Sequence, residues 1–205
     1  MATETFGEDQ PQRPSFSREL GEGLHGEEAA RHILQMTGED LSRAGLKDTP
    51  RRVAKAYKHL LSGYGMTPKQ AIGEGVFPSE GRGLVSVREV EFYSLCEHHL
   101  VPFWGTVSVS YFPRDKILGL SKIPRLVDLF CRRIQVQERI TEQLSTAIEE
   151  LIQPRATLVE VKAQHMCMMM RGVEKMGSFT TTQKMTGYDT LNAYEQKQIS
   201  DFQRS

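Results

Sequence analysis

Two short clusters of sulfur and imidazole constrain this chain more than anything else in it. The first is Cys96-Glu97-His98-His99, and the second, far downstream, is His165-Met166-Cys167. If both serve one metal ion, the fold must bring the two stretches together. Zn²⁺ takes thiolate and imidazole in a tetrahedron, with four protein ligands in a structural site and three in a catalytic one. Cys-x-x-His supplies two ligands from one tight turn. The remaining cysteine, Cys131, is isolated, and no fourth ligand stands at a suitable spacing. The expectation is therefore a three-ligand site of Cys96, His99 and Cys167, open at its fourth position to water, with His98 and His165 beside it. The competing reading is that these are small buried thiols and hydrogen-bonded core imidazoles, as lone cysteines and histidines usually are.

The residues around the clusters suggest how the chain is built. Ala29, Ala30, Ile33 and Leu34 recur at helical spacing within Glu27 to Met36. A second helix has Thr49 to cap it, Pro50 at its first position and Gly63 to end it, with Val53, Ala56, Tyr57, Leu60 and Leu61 as its stripe. Arg52 and Lys55 lie off that stripe, where a solvated basic face accounts for them as well as a ligand does. Met66 to Gly83 reads as connection. Val85 and Val87 alternate, then Val90 and Phe92 alternate in the opposite parity, which predicts a strand with a bulge or break running into Cys96. Val107, Val109 and Tyr111 mark a half-buried strand, and Ile117 to Leu120 a short return strand. Ser121 opens a helix whose start, with Lys122 and then Arg125, suits an anion; Ser-Lys is also common at helix starts without one. A long helix carries Val136, Ile140, Leu144, Ala147, Ile148 and Leu151 and closes at Pro154, with Glu138 off the stripe and facing solvent. Val159, Val161, Ala163, His165 and Cys167 share one strand parity, so His165 and Cys167 are expected to project together from one sheet face. Thr180 to Thr182 reads as a last strand and the tail from Asp189 as polar, with helix one option. Helices first, then antiparallel strands with helices on one face, make an α+β domain.

Composition narrows the function. Lys+Arg and Asp+Glu are both 26, so the net charge is zero and a general nucleic-acid surface is not expected. Three cysteines suit a reducing compartment better than a disulfide framework. No apolar run approaches the length of a membrane span, and no signal-peptide core stands at the N-terminus. The chain is expected to be cytoplasmic. Residues 1–26 read as a disordered tail, 27–65 as a helical region and 66–205 as the catalytic domain.

These residues resemble GTP cyclohydrolase I. Cys96-Glu97-His98-His99, Gly119-Leu120-Ser121-Lys122-Ile123, Gln135-Val136-Gln137-Glu138-Arg139 and His165-Met166-Cys167 with Arg171-Gly172 look like that family's blocks, in its order. Asp48 to Lys55 looks like its N-terminal helical block, and the resemblance runs from about Glu27 to Tyr188. It implies the tunnelling fold, a four-stranded antiparallel sheet with two helices on one face behind a helical region. It also implies a homo-oligomer, two stacked pentamers forming a decamer, with active sites between subunits. The implied reaction converts GTP and water to 7,8-dihydroneopterin triphosphate and formate, with one Zn²⁺ per subunit.

Carried over position by position, Cys96, His99 and Cys167 are implied as zinc ligands, and His98, His165 and Ser121 as catalytic. Glu138 would hold the guanine edge with Gln137 next to it. Lys122, Arg125 and Arg171, with Ser121, would meet the triphosphate and ribose; Arg52 and Lys55 would reach further phosphates from a neighbouring subunit. One rival is a nitrile reductase of the same fold, which would share the purine-anchoring Glu but have no use for the zinc trio. The other is a zinc-containing purine-binding or regulatory protein without turnover.

Overall fold

A computed structural model of the chain describes residues 24–204. The expected N-terminal tail lies outside the described residues, except that Leu24 to Gly26 are already helical. The chain divides into two compact units, one ending at Lys58 and the other beginning at His59.

In the first unit, α1 spans Leu24–Gln35 and α2 begins at Thr49, running on to Leu60. Only part of each expected apolar stripe is covered. Ala30 is buried, yet Ile33 is 64% and Met36 86% exposed, and Tyr57 also faces outward. Thr49 is the first helical residue rather than the cap, and its hydroxyl donates to the Gly45 carbonyl at 3.2 Å.

The second unit opens on a feature the sequence reading misplaced. Gly63 does not end α2 by a left-handed turn. Its N–H donates to the Arg132 carbonyl at 2.8 Å, and a Cβ there would lie 2.3 Å from the Leu129 carbonyl oxygen. Close backbone approach is what requires glycine here. The stretch read as connection holds α3 (Pro68–Ile72) and β1 (Val76–Pro78). Thr67 and Gln70 cap α3 reciprocally, with Pro68 in its first turn.

The sheet is built from β2 (Val85–Cys96), β3 (Pro102–Phe112), β5 (Ile134–Gln135), β6 (Ala156–His165) and β7 (Thr180–Thr186) in the order β5-β2-β3-β6-β7. The four long strands are antiparallel and β5 pairs parallel to the end of β2. β4 (Lys116–Leu118) does not return along β3 but pairs with β1 in a separate ribbon. The parity slip in β2 is a bulge between Val87 and Val90. Glu89 takes a positive φ of 54° there and donates its N–H to the Ser108 hydroxyl.

α4 (Lys122–Cys131) packs on β2, and α5 (Gln137–Ile152) packs on β6 and β7. Between them and the sheet lies the main core, with Phe103, Val107, Leu126, Ile140, Leu144 and Val161 fully buried. The opposite face is covered at one end. Leu158, next to Val159 and so on the other side, joins Phe112, Leu191 and Ile199 in a second cluster. Ile199 belongs to α7 (Ala193–Arg204), so the polar tail is a docked helix, tied to the sheet by Arg155 and Glu195 at 2.6 Å. The architecture is α+β, with a fifth short strand and an extra helix beyond the expected outline. Among the described residues no helix is long and apolar enough to cross a membrane.

The central sheet leaves no room at Gly105. A Cβ there would come 1.8 Å from the Lys162 carbonyl oxygen of the neighbouring strand. Gly105→Ala is expected to cost about 3 kcal/mol, the upper end for overpacking. A thermal melt at matched protein concentration that is unchanged from wild type would refute this.

Candidate active site

Strand register brings the two sequence clusters together. β2 ends where β3 begins, Leu95 pairing with Pro102, and β3 begins where β6 ends, Phe103 pairing with His165. Residues just past the ends of β2 and β6 are therefore neighbours. The turn after Cys96 is tight. Leu100 donates to the Cys96 carbonyl at 2.8 Å and takes a φ of 54°, while Cys96 N–H is held by the Val101 carbonyl.

Cys167 arrives by a different route from the one its parity predicts. β6 stops at His165, and Met166–Met169 form a single helical turn, α6. His165 and Cys167 thus do not share a strand face. The sheet ends there because β3, the partner strand, starts at Pro102. The helical turn still carries Cys167 inward, and ligand atoms of Cys96, His99 and Cys167 all lie within 4.8 Å of one another.

The chemistry of this trio suits a cation. Burial and the adjacent Cys96 sulfur both push the Cys167 thiol above its ordinary range. Two sulfurs at such a distance resist joint ionisation until a positive charge sits between them. His99 Nδ1 lies 3.8 Å from the Cys96 sulfur, and His98 Nδ1 lies 3.7 Å from it. The Arg171 guanidinium, which can only donate, meets His99 Nε2 at 2.9 Å.

A cavity of about 230 Å³ opens beside the trio, lined by Cys96, His98, Gln137, Glu138, His165 and Cys167 among others. Glu138 is exposed in the first turn of α5, as its place off the stripe predicts. His165 stacks on Phe103, ring centroids 4.7 Å apart and planes within 6°. Burial lowers the pKa of His165, opposed by the nearby Glu138 charge. Gln137 is buried, and its amide is occupied by protein groups.

Other expected residues stand elsewhere. Ser121, Lys122 and Arg125 lie at the start of α4 and do not line this cavity. Ser121 occupies the cap position without a side-chain capping bond. Arg52 and Lys55 are exposed in the first unit. Three contributors were given no role from the sequence, although Gln135, Arg139 and Glu97 stand inside its motif blocks. Phe103 is one, and Gln135, whose amide donates to the Phe130 carbonyl and to Gln143, is another. The third is the pair of Arg139 and Glu97 at 2.6 Å, which ties the Cys96 turn to α5 and holds the Glu97 carboxyl below its usual range.

The comparisons with known proteins agree with this geometry. The chain matches the family described as GTP cyclohydrolase I over residues 26–203. The chain belongs to the GTP cyclohydrolase I family. A GTP cyclohydrolase 1 of Deinococcus radiodurans is 52% identical over 78% of this chain and 74% of its own. One from Campylobacter concisus is 49% identical over 82% and 88%, and one from Leptospira biflexa 52% identical over 76% and 85%. The chain is thus an enzyme of the GTP cyclohydrolase I kind. A solved structure, the archaeosine synthase QueF-Like in the apo form, shares 21% identity at a TM-score of 0.43, covering 53% of this chain and 97% of that one.

Proposed function

We propose that this enzyme takes GTP and water to 7,8-dihydroneopterin triphosphate and formate, with one zinc ion per subunit held by Cys96, His99 and Cys167. The observation that carries the reading is the meeting of two thiols and an imidazole within 4.8 Å, beside a cavity that also holds a carboxylate and two further histidines. When bound, zinc supplies Lewis acidity that makes water a competent nucleophile at neutral pH. Every other task falls to side chains.

Glu138 holds the N1–H and 2-amino group of guanine and sets C8 toward the trio. His98, next to ligand His99, donates a proton at N7 and makes C8 more electrophilic. Formate leaves, the ribose opens, and a rearrangement precedes closure of the pterin ring. His165, with Ser121, moves protons at the sugar in these later steps. Ser121, Lys122, Arg125 and Arg171 hold the triphosphate and ribose. Arg52 and Lys55 add phosphate contacts from a neighbouring subunit, which a chain of zero net charge needs in order to concentrate basic groups on one anion.

That arrangement belongs to the tunnelling fold, with residues 66–205 as the catalytic domain behind the helical region 27–65 and with active sites between subunits of a decamer. Apolar side chains left open to solvent in the single chain, Ile33, Met36, Leu120, Val173, Met176 and Phe179, support assembly with further copies. A cytoplasmic location is part of the same proposal.

The test is incubation of purified protein with GTP, followed by oxidation and a search for a fluorescent pterin, with and without a chelator. Fluorescence that appears only when metal is present supports the proposal; none in metal-replete protein rejects it. In the same assay His165→Ala is expected to accumulate a ring-opened intermediate without finishing the pterin. Loss of C8 hydration instead would exchange the roles of His98 and His165.

A further inference from the structure

We propose that Gln137 is a positioning residue for His165: its amide fixes the His165 proton on Nε2 and leaves Nδ1 as the nitrogen that exchanges protons with substrate. The inference rests on the reading of His165 as a residue of turnover. It replaces the expectation that Gln137 meets the purine.

The orientation of the amide follows from its neighbours. Gln137 Nε2 lies 2.9 Å from the Val161 carbonyl and 3.0 Å from the Thr180 carbonyl. Carbonyls only accept, so the NH₂ end must face them. A flipped amide would set oxygen against two buried carbonyl oxygens and leave both unsatisfied. The side chain's oxygen is therefore the atom 2.9 Å from His165 Nε2. It can only accept, so His165 Nε2 carries hydrogen.

A closed ring of hydroxyls holds the amide in place. Thr141 donates its one hydroxyl proton to the Gln137 backbone carbonyl at 3.1 Å. The 2.6 Å contact between the Thr141 and Thr182 hydroxyls then needs Thr182 as donor. Thr182 is left to accept from Gln137 Nε2, at 3.3 Å. The two amide hydrogens of Gln137 are shared among three acceptors, the Thr182 contact being the longest, and α5 is tied to both β6 and β7. Gln137 is 2% exposed, so water does not compete for these bonds. Phe103, stacked on the imidazole, fixes the plane in which the hydrogen bond points. Ring plane and tautomer are both set before substrate arrives, the condition under which an orienting partner matters most.

The same contacts argue against a purine role. Both amide hydrogens and the amide oxygen are already used within the protein, and reaching a base would mean breaking bonds to both β6 and β7. Glu138, the next residue, is exposed in the first turn of α5.

The experiment uses the zinc-loaded, full-length enzyme. Gln137→Met keeps the side chain's length and removes its donors and acceptor. It is expected to lower kcat by about 10- to 100-fold, the usual loss when a histidine's orienting partner is removed, with KM for GTP and zinc content unchanged. In a His165→Ala background the same substitution should change nothing further. A raised KM with kcat retained would overturn the proposal in favour of a base contact. So would an undiminished effect in the His165→Ala background. If Gln137→Met does not fold, the wild-type enzyme still decides. Nitrogen-15 spectra of histidine-labelled protein, with His165 assigned by difference from His165→Ala, should show hydrogen on Nε2 in the neutral ring. Hydrogen on Nδ1 would overturn the inference. Full turnover by His165→Ala would instead overturn the role of His165 itself, and the two failures are separately visible.

Discussion

Cys167→Ala is expected to leave the protein without its zinc and to end ring opening. The trio offers only three ligand atoms, so each carries a large share of the binding. Zinc sites of this chemistry are worth roughly 10–16 kcal/mol in all. Losing one ligand of three then forfeits on the order of 4 kcal/mol, about a thousandfold in affinity. Cys167 sits on the single turn α6, half-buried, so truncation removes little packing and the fold should survive. Its raised thiol pKa adds a second readout. A thiol must release its proton when it takes a cation, so zinc added to metal-free wild type should acidify a weakly buffered solution, and less so with Cys167→Ala. Cys131→Ala is the control. Cys131 is buried in the main core, where burial pushes its thiol well up, and it lies outside the trio. It should keep both zinc and turnover apart from a stability loss. Metal content near one per chain in Cys167→Ala, with normal turnover, would remove Cys167 from the site.

The sequence signal for this centre was chemical, and its geometry came from a different source. Residue type pointed to Cys96, His99 and Cys167 because two clusters together favoured one ion over the competing reading of separate buried thiols and core imidazoles. The period-2 argument that placed His165 and Cys167 on one face failed, since periodicity assumes that a strand continues and only its partner decides where it stops. Beyond Phe103 only Pro102 of β3 is left, and proline has no N–H to carry the ladder further. Short elements were hard to read for a related reason. β1 and β5 hold three and two residues, too few to show any period, and β4 was read as a short strand but given the wrong partner. The long strands and α5 were legible because a dozen or so residues repeat one pattern. Gln137 shows the limit of reasoning from neighbours in sequence. It stands beside Glu138, yet the helix turns about 100° per residue, so at the cavity wall one side chain is buried among protein groups and the other is exposed. α1 and α2 show the opposite case, where amphipathic patterns were real but much of the apolar stripe stays exposed among the described residues.

Glu138 should decide which purine the enzyme accepts, and its removal is expected to cost about 100- to 10,000-fold in kcat/KM for GTP. The estimate takes two hydrogen bonds to a charged carboxylate at roughly 1.5–3 kcal/mol each, converted at about 1.4 kcal/mol per tenfold. Among the described residues Glu138 enters no ion pair, whereas its neighbour Arg139 is held by Glu97. The carboxylate is thus available to a ligand, and its place in the first turn of α5 sets it close to His165 without burying it. A guanine placed there offers two parallel donors, N1–H and the 2-amino group, to two oxygens. Adenine offers none in that position, and its N1 would face the carboxylate with a lone pair. Inosine triphosphate separates this account from a mere loss of folding. It keeps N1–H and lacks the 2-amino group, so wild type should disfavour it by one bond, about 10- to 100-fold. With Glu138→Ala both bonds are gone, and the preference for GTP over inosine triphosphate should collapse toward unity while the zinc content stays at the wild-type level. A variant that is weakened but still discriminates at the wild-type ratio would mean that some other group reads the 2-amino edge.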